Sequence, residues 1–282
     1  MQALSLWAVA LLLVAGSLAA VEAGVILGRR QARRHAAGAA ESPAKSNVEG
    51  YIISSIFGLL AFLVGFTFSM SLSRYDDRRS WIAQEATAIS TVYLRAELLD
   101  EPYRSRLRSL LRDYARSRLA PDNITSAEIE TGILQTERIR NQLWDETRTA
   151  IYPDRRSDLA SYFVEAMNNA LDIGTRRALA GRAHVPTQIV AILLVYLLVA
   201  AIMLGYLMAK EGTTRRHEST LLILMFVASI NLILDLDRPR EGLIRVSQRP
   251  LEELIASMNA DAAKESVTER PTKPPTADEH EA

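Results

Sequence analysis

Two dense charge clusters, each beside an apolar run, hold the side chains of this 282-residue chain whose spacing best suits action on an ion. The first, "SRYDDRRSWIAQE", carries Arg74, Asp76, Asp77, Arg78, Arg79 and Glu85. The second, "DLDRPR", carries Asp235, Asp237, Arg238 and Arg240. Mixed guanidinium and carboxylate groups suit two tasks. They can anchor helix ends at a membrane boundary through structural ion pairs, or they can form a vestibule in which arginines concentrate anions at a pore mouth. The pairing expected is Arg74 or Arg78 with Asp235 or Asp237. Carboxylates at Asp76, Asp77, Asp235 and Asp237 also suit calcium or magnesium, but their spacing is not that of an EF-hand, and no metal is expected. Glu85 falls on the stripe of Ile82 and Ile89, which predicts a half-buried carboxylate paired to an arginine of a neighbouring helix.

Enzyme chemistry finds little support. The chain has no cysteine, which excludes disulfides and thiolate catalysis. His35, His184, His217 and His280 fall in loops or tail without metal spacing. There is no Gly-rich phosphate loop, no nucleophile elbow and no HExxH, so neither a catalytic site nor a cofactor is expected. A formal net charge of +0 gives no sign of nucleic-acid binding.

The elements that must position these clusters are apolar. A helix needs about 20 apolar residues to cross the hydrocarbon core, and four runs come near that. They are residues 1–28, 51–73, 185–209 and 219–236. The first resembles a signal peptide only in its small residues; no positive charge precedes Trp7, and its apolar run is long for a signal. Asn231, inside the fourth run, is expected to hydrogen-bond across helices. Residues 74–184 read as helix throughout. Leu107, Leu110, Leu111 and Tyr114 share one face, as do Leu159, Tyr162, Phe163, Ala166, Met167, Ala170 and Leu171. Pro102, Pro121 and Pro153 punctuate the segments. No stretch alternates with period two. The expectation is an all-α integral membrane protein with four transmembrane helices and a helical extramembrane block between the second and third. Residues 29–50 form a polar loop, 237–258 a membrane-proximal segment, and 259–282 a disordered tail rich in proline and charge.

At "LLAFLVGFTFSMSLSRYDDRRSWIAQEATAIST" and "LDLDRPREGLIRVSQRPLEEL" the chain resembles a bacterial family of unknown function described as bestrophin-like, over residues 50–258. The first stretch also resembles the pore helix of true bestrophins, which are pentameric anion channels with four membrane helices per subunit. The resemblance implies a homo-oligomer in the bacterial cytoplasmic membrane, with inorganic anions as its ions and the second helix lining a pore. Carried over by the Gly65-Phe66 match, the apolar neck falls on Gly58, Phe62 and Phe66. These lie four apart and share a helix face, and such a ring of aromatics gates by dewetting. The alternative is a non-conducting membrane scaffold or sensor whose helical block binds a partner. The resemblance puts residues 74–184 in the cytoplasm. The basic residues of the short loops, Arg29, Arg30, Arg33, Arg34, Lys45, Lys210, Arg215 and Arg216, argue for the reverse orientation, while Arg74, Arg78, Arg79, Arg176, Arg177, Arg182, Arg238, Arg240 and Arg245 at the opposite helix ends argue against it, so the charge rule does not settle the side.

Overall fold

The computed structural model describes residues 6–35, 43–119, 126–211, 216–238 and 242–268. Among them the ordered elements are helical: α1 (Leu6–His35), α2 (Pro43–Ala96), α3 (Tyr103–Ser117), α4 (Ser126–Ile151), α5 (Asp158–Arg182), α6 (Thr187–Glu211), α7 (Arg216–Asp237) and α8 (Arg249–Thr268), with a 3-10 turn at Tyr152–Asp154. Four helical stretches are long and apolar enough to cross a membrane. The chain divides into two compact units, Met1–Arg78 with Gly181–Val246, and Arg79–Ala180 with Ser247–Ala282. Both α2 and α5 supply residues to each unit.

The first unit is built on α1, the first part of α2, α6 and α7. Its core joins Ala20, Leu60, Leu193, Leu197, Ala200, Ile223, Val227 and Ile230. Phe57 and Phe226 bring α2 and α7 together, with ring centroids 5.7 Å apart. Lipid tails are as apolar as leucine, so burying greasy side chains cannot drive helix association within a bilayer; close backbone packing must. The α1–α6 seam supplies it. A Cβ added to Gly24 would overlap the Ile202 carbonyl, and one added to Gly205 would overlap the Val21 carbonyl. One added to Gly28 would lie 2.7 Å from the Tyr206 carbonyl oxygen. Gly24 and Gly28 form the small-xxx-small pattern that such crossings require. A Gly205→Val protein should therefore lose about 1–3 kcal/mol or more through backbone displacement. Gly16, which has nothing within 4 Å of an added Cβ, should accept alanine with a change within about 0.5 kcal/mol. Thermal unfolding of the two variants in detergent measures the contrast.

The second unit buries amphipathic faces against one another. In α3 the buried residues include Leu107, Leu111, Tyr114 and Ala115. In α5 they are Ala160, Phe163, Ala166, Met167, Ala170 and Gly174. Leu159 and Tyr162, expected on the α5 stripe, are exposed. The buried line runs through smaller residues one position further on, and the Tyr162 carbonyl accepts a hydrogen bond from Arg95.

Two segments carry more helix than expected. In the polar loop 29–50, α1 continues to His35 and α2 already begins at Pro43; residues 36–42 lie outside the described residues. Ala and Arg are good helix formers, and a proline fits a first turn. In the tail 259–282, α8 continues to Thr268, with 269–282 outside the described residues. This helix is held by α2 and α3. Met258 is buried, its carbonyl accepts from the Tyr93 hydroxyl at 3.3 Å, and Asn259 Oδ1 accepts from Arg116 at 2.7 Å. Arg108, stacked 4.3 Å over the Tyr93 ring, reaches Glu97 at 3.3 Å and also Glu265.

Candidate functional site

Helix α2 carries every residue of the first charge cluster, and its periodicity separates them. Leu60, Thr67, Ser71 and Arg78 are buried on one face, with Arg74 at its edge. On the opposite face Tyr51, Ser55, Gly58, Phe62, Phe66, Ser69, Ser73, Asp76 and Asp77 are exposed. Phe62 is 68% and Phe66 59% exposed, and nothing lies within 4 Å of a Cβ added to Gly58. Ile52, Leu59 and Leu72 are exposed on α2 as well. The outward side chains of α6 and α7 are mostly large and aliphatic, as with Ile192 and Val195 on α6 and Leu221 and Met225 on α7, and α1 exposes Leu11 and Leu12 together with Gly16 and Glu22. Only α2 turns glycine, serine, phenylalanine and carboxylate outward together.

The buried face of α2 ends in a polar node. Arg78 donates to the Leu236 carbonyl at 3.0 Å, the Ala183 carbonyl at 2.7 Å and the Asp237 carbonyl at 3.5 Å. Its guanidinium stands 3.9 Å from Asp237 Oδ1. That carboxylate accepts the Val185 N–H at 2.8 Å, at the approach to α6, and has His184 at 3.5 Å. Among the described residues no arginine meets Asp235. Its two oxygens accept the N–H groups of Leu243 at 2.7 Å and Ile244 at 3.0 Å, which folds the chain back after α7. Gly242 permits that turn, since a Cβ there would lie 2.7 Å from Asp235 Oδ1. The structure thus brings Arg78 to Asp237 and leaves Arg74 apart from both aspartates. Arg238 follows the end of α7, and Arg240 lies outside the described residues. Asn231 Oδ1, expected to hydrogen-bond across helices, is buried without a partner. No group of three or more His, Cys, Asp or Glu among the described residues could hold a metal ion.

Glu85 belongs to the second unit and is fully buried, at 0% exposure. Arg118 donates to its Oε1 at 2.6 Å and Arg177 to its Oε2 at 2.5 Å. Arg118 also reaches the Gly174 carbonyl at 3.0 Å, and Arg177 reaches the Arg118 carbonyl at 3.1 Å. A Cβ on Gly174 would lie 2.5 Å from the Tyr114 hydroxyl and 3.0 Å from Glu85 Oε1, so glycine is required for the approach of α5. Burial pushes the Tyr114 hydroxyl up to about 12, so it is neutral beside this charged triad at physiological pH. Sequence spacing located Glu85; the two arginines could not be named, because Arg118 and Arg177 lie far from it along the chain.

Four apolar helices, a second helical unit inserted between the second and third, and charged nodes at α2 and α7 define a multi-pass helical membrane protein. A bestrophin-like domain matches residues 15–251, and the chain belongs to the bestrophin-like family. The fold agrees. A single-residue variant of a bacterial bestrophin homolog from Klebsiella pneumoniae superposes with a TM-score of 0.61 at 16% identity, covering 93% of this chain and 98% of that one. Another structure of a bacterial bestrophin homolog from Klebsiella pneumoniae gives 0.57 at 18% identity, covering 88% and 96%. At these identities the likeness carries the fold alone. No curated protein matches the sequence.

Proposed function

We propose that the chain assembles into a homo-oligomeric ion pore lined by α2, with Gly58, Phe62 and Phe66 at the constriction. One observation carries this reading: the membrane-level outward face of α2 sets Ser55, Gly58, Ser69 and Ser73 beside Phe62 and Phe66, with Ile52, Leu59 and Leu72 at its flanks, whereas α6 and α7 turn mostly large aliphatic side chains outward. A face of serines and glycines gains little from lipid and much from close approach of another helix or from water. In this reading the oligomer sits in a bacterial inner membrane with residues 74–184 on the cytoplasmic side, as the family likeness supports.

The same face bears on the ion. Near its charged end the exposed members of α2 are Asp76, Asp77 and Arg79, two carboxylates to one guanidinium, while Arg78 is buried and Arg74 lies at the edge of the buried face. Rings of carboxylates favour cations. The geometry therefore supports a cation-preferring mouth; anion conduction is the second reading, supported by the family alone.

The absence of native cysteine makes the test clean. Phe62→Cys and Phe66→Cys proteins should form disulfide-linked copies on oxidation, and Val195→Cys should not. In bilayers under a salt gradient the reversal potential should lie toward the cation value and shift toward zero in Asp76→Asn/Asp77→Asn. Phe66→Ala should raise conductance by removing the apolar barrier. A solitary chain in mild detergent overturns the assembly. An intact oligomer that stays silent overturns the pore and leaves a membrane scaffold.

A further inference from the structure

The two membrane boundaries of the first unit differ in charge. At one, Arg74, Arg78, Arg182 and Arg238 stand among Asp76, Asp77, Asp235 and Asp237. The other carries Arg29, Arg30 and Arg33 on α1, Lys210 on α6, and His217 and Glu218 on α7. Lys210 and Glu218 have contacts of their own. Arg29, Arg30 and Arg33 are exposed, and no hydrogen bond or ion pair joins them to any described residue. Residues three and four apart share a helix face, so the three guanidiniums fall on one arc of α1. Below them on that arc lie Ile26, Ala23, Ala19 and Ala15, all exposed. Glu22, two turns below Arg29, is exposed there too and has a contact of its own.

At 1.5 Å per residue the run from Trp7 to Gly28 is about 32 Å long, close to the thickness of the hydrocarbon core. Trp7, 69% exposed, then marks one interface, and the three arginines reach the level of the lipid phosphates at the other. Close packing holds them in place: a Cβ added to Gly28 would lie 2.7 Å from the Tyr206 carbonyl oxygen and 2.8 Å from Ala209 Cβ. We propose that Arg29, Arg30 and Arg33 bind the phosphodiester of an anionic phospholipid, with an acyl chain laid along Ile26, Ala23 and Ala19. Guanidinium forks match phosphate oxygens two at a time, and the alanines below leave a shallow slot for the chain. The ammonium of a zwitterionic headgroup is repelled by the same arginines. An acidic protein segment matches the charge but not the apolar slot beneath it. The proposal rests on neither assembly nor conduction.

The test is phenylglyoxal modification of arginines in the full-length protein in nanodiscs, read by mass spectrometry. Arg29, Arg30 and Arg33 should react several-fold more slowly in phosphatidylglycerol than in phosphatidylcholine. Arg138, exposed on α4, should react alike in both. In mild detergent, added phosphatidylglycerol should raise the unfolding midpoint by several degrees, since a ligand bound to the native state stabilises it. Phosphatidylcholine and inorganic phosphate should not. Each single arginine-to-glutamine change at the three positions should weaken phosphatidylglycerol binding about fivefold, and the triple variant should lose the rise. Arg182→Gln, an exposed arginine at the opposite boundary, should keep it. Equal reactivity in the two lipids overturns the proposal; protection in both would mean that an acidic protein segment covers the arginines. So does a rise produced by inorganic phosphate, kept by the triple variant, or lost in Arg182→Gln.

Discussion

Replacing Glu85 by alanine should cost about 3–5 kcal/mol of unfolding free energy, the loss expected when one partner is removed from a buried ion pair. The side chain is fully enclosed, and both its oxygens are bound by guanidiniums. Its removal leaves Arg118 and Arg177 close together without the carboxylate that both now meet, beside the buried Tyr114 hydroxyl. Glu85→Gln keeps the volume and one acceptor oxygen, and should fall between wild type and alanine. Replacing Glu85, Arg118 and Arg177 together by leucine and methionine should recover most of the loss, because apolar side chains of similar volume carry no desolvation cost. Thermal unfolding in detergent orders the three proteins, and hydrogen exchange should locate the loosening in residues 79–180. A Glu85→Ala protein as stable as wild type would mean that the triad contributes nothing.

The outline of the fold was legible because hydropathy and helical period are properties of short segments. The four spans and the amphipathic line of α3 are such properties, as is the inward position of Glu85. The identity of a partner is not local. Arg74 and Arg78 are equivalent by composition, yet one turn of helix separates a residue that meets Asp237 from one that meets no acceptor among the described residues. Asp235 reads as an ion-pair partner, but backbone N–H groups after α7 reach it first. The helix from Arg249 to Thr268 is polar enough to read as disordered at its end. Its order comes from Tyr93, Arg108 and Arg116, three side chains remote in sequence. The candidate pore face was legible only as the spacing of Gly58, Phe62 and Phe66. That Arg78 turns inward from it, while Asp76 and Asp77 do not, required the buried face to be known.

The largest loss in the first unit should follow Arg78→Ala. Four C-terminal carbonyls of any helix lack partners within that helix, and Arg78 supplies donors to two at the end of α7, those of Leu236 and Asp237. Its third acceptor, the Ala183 carbonyl, lies between α5 and α6. A planar fork bonds acceptors from two segments at once, and it is 5% exposed. Alanine strands those carbonyls and leaves Asp237 without its arginine. The cost should reach about 3–5 kcal/mol. Lysine keeps the charge but offers a point donor in place of the fork, so Arg78→Lys should lose most of the same stability. Asp237→Asn retains an acceptor for the Val185 N–H and should lose less. Exposed Arg79, the next residue, is the control: Arg79→Ala should change stability by no more than about 0.5 kcal/mol. The order Arg78→Ala, Arg78→Lys, Asp237→Asn, Arg79→Ala, from greatest loss to least, follows from hydrogen-bond geometry and would not follow from net charge, which Arg78→Ala and Arg79→Ala alter equally. If those two variants melt together, the node is a surface ion pair, and the end of α7 is held by something else.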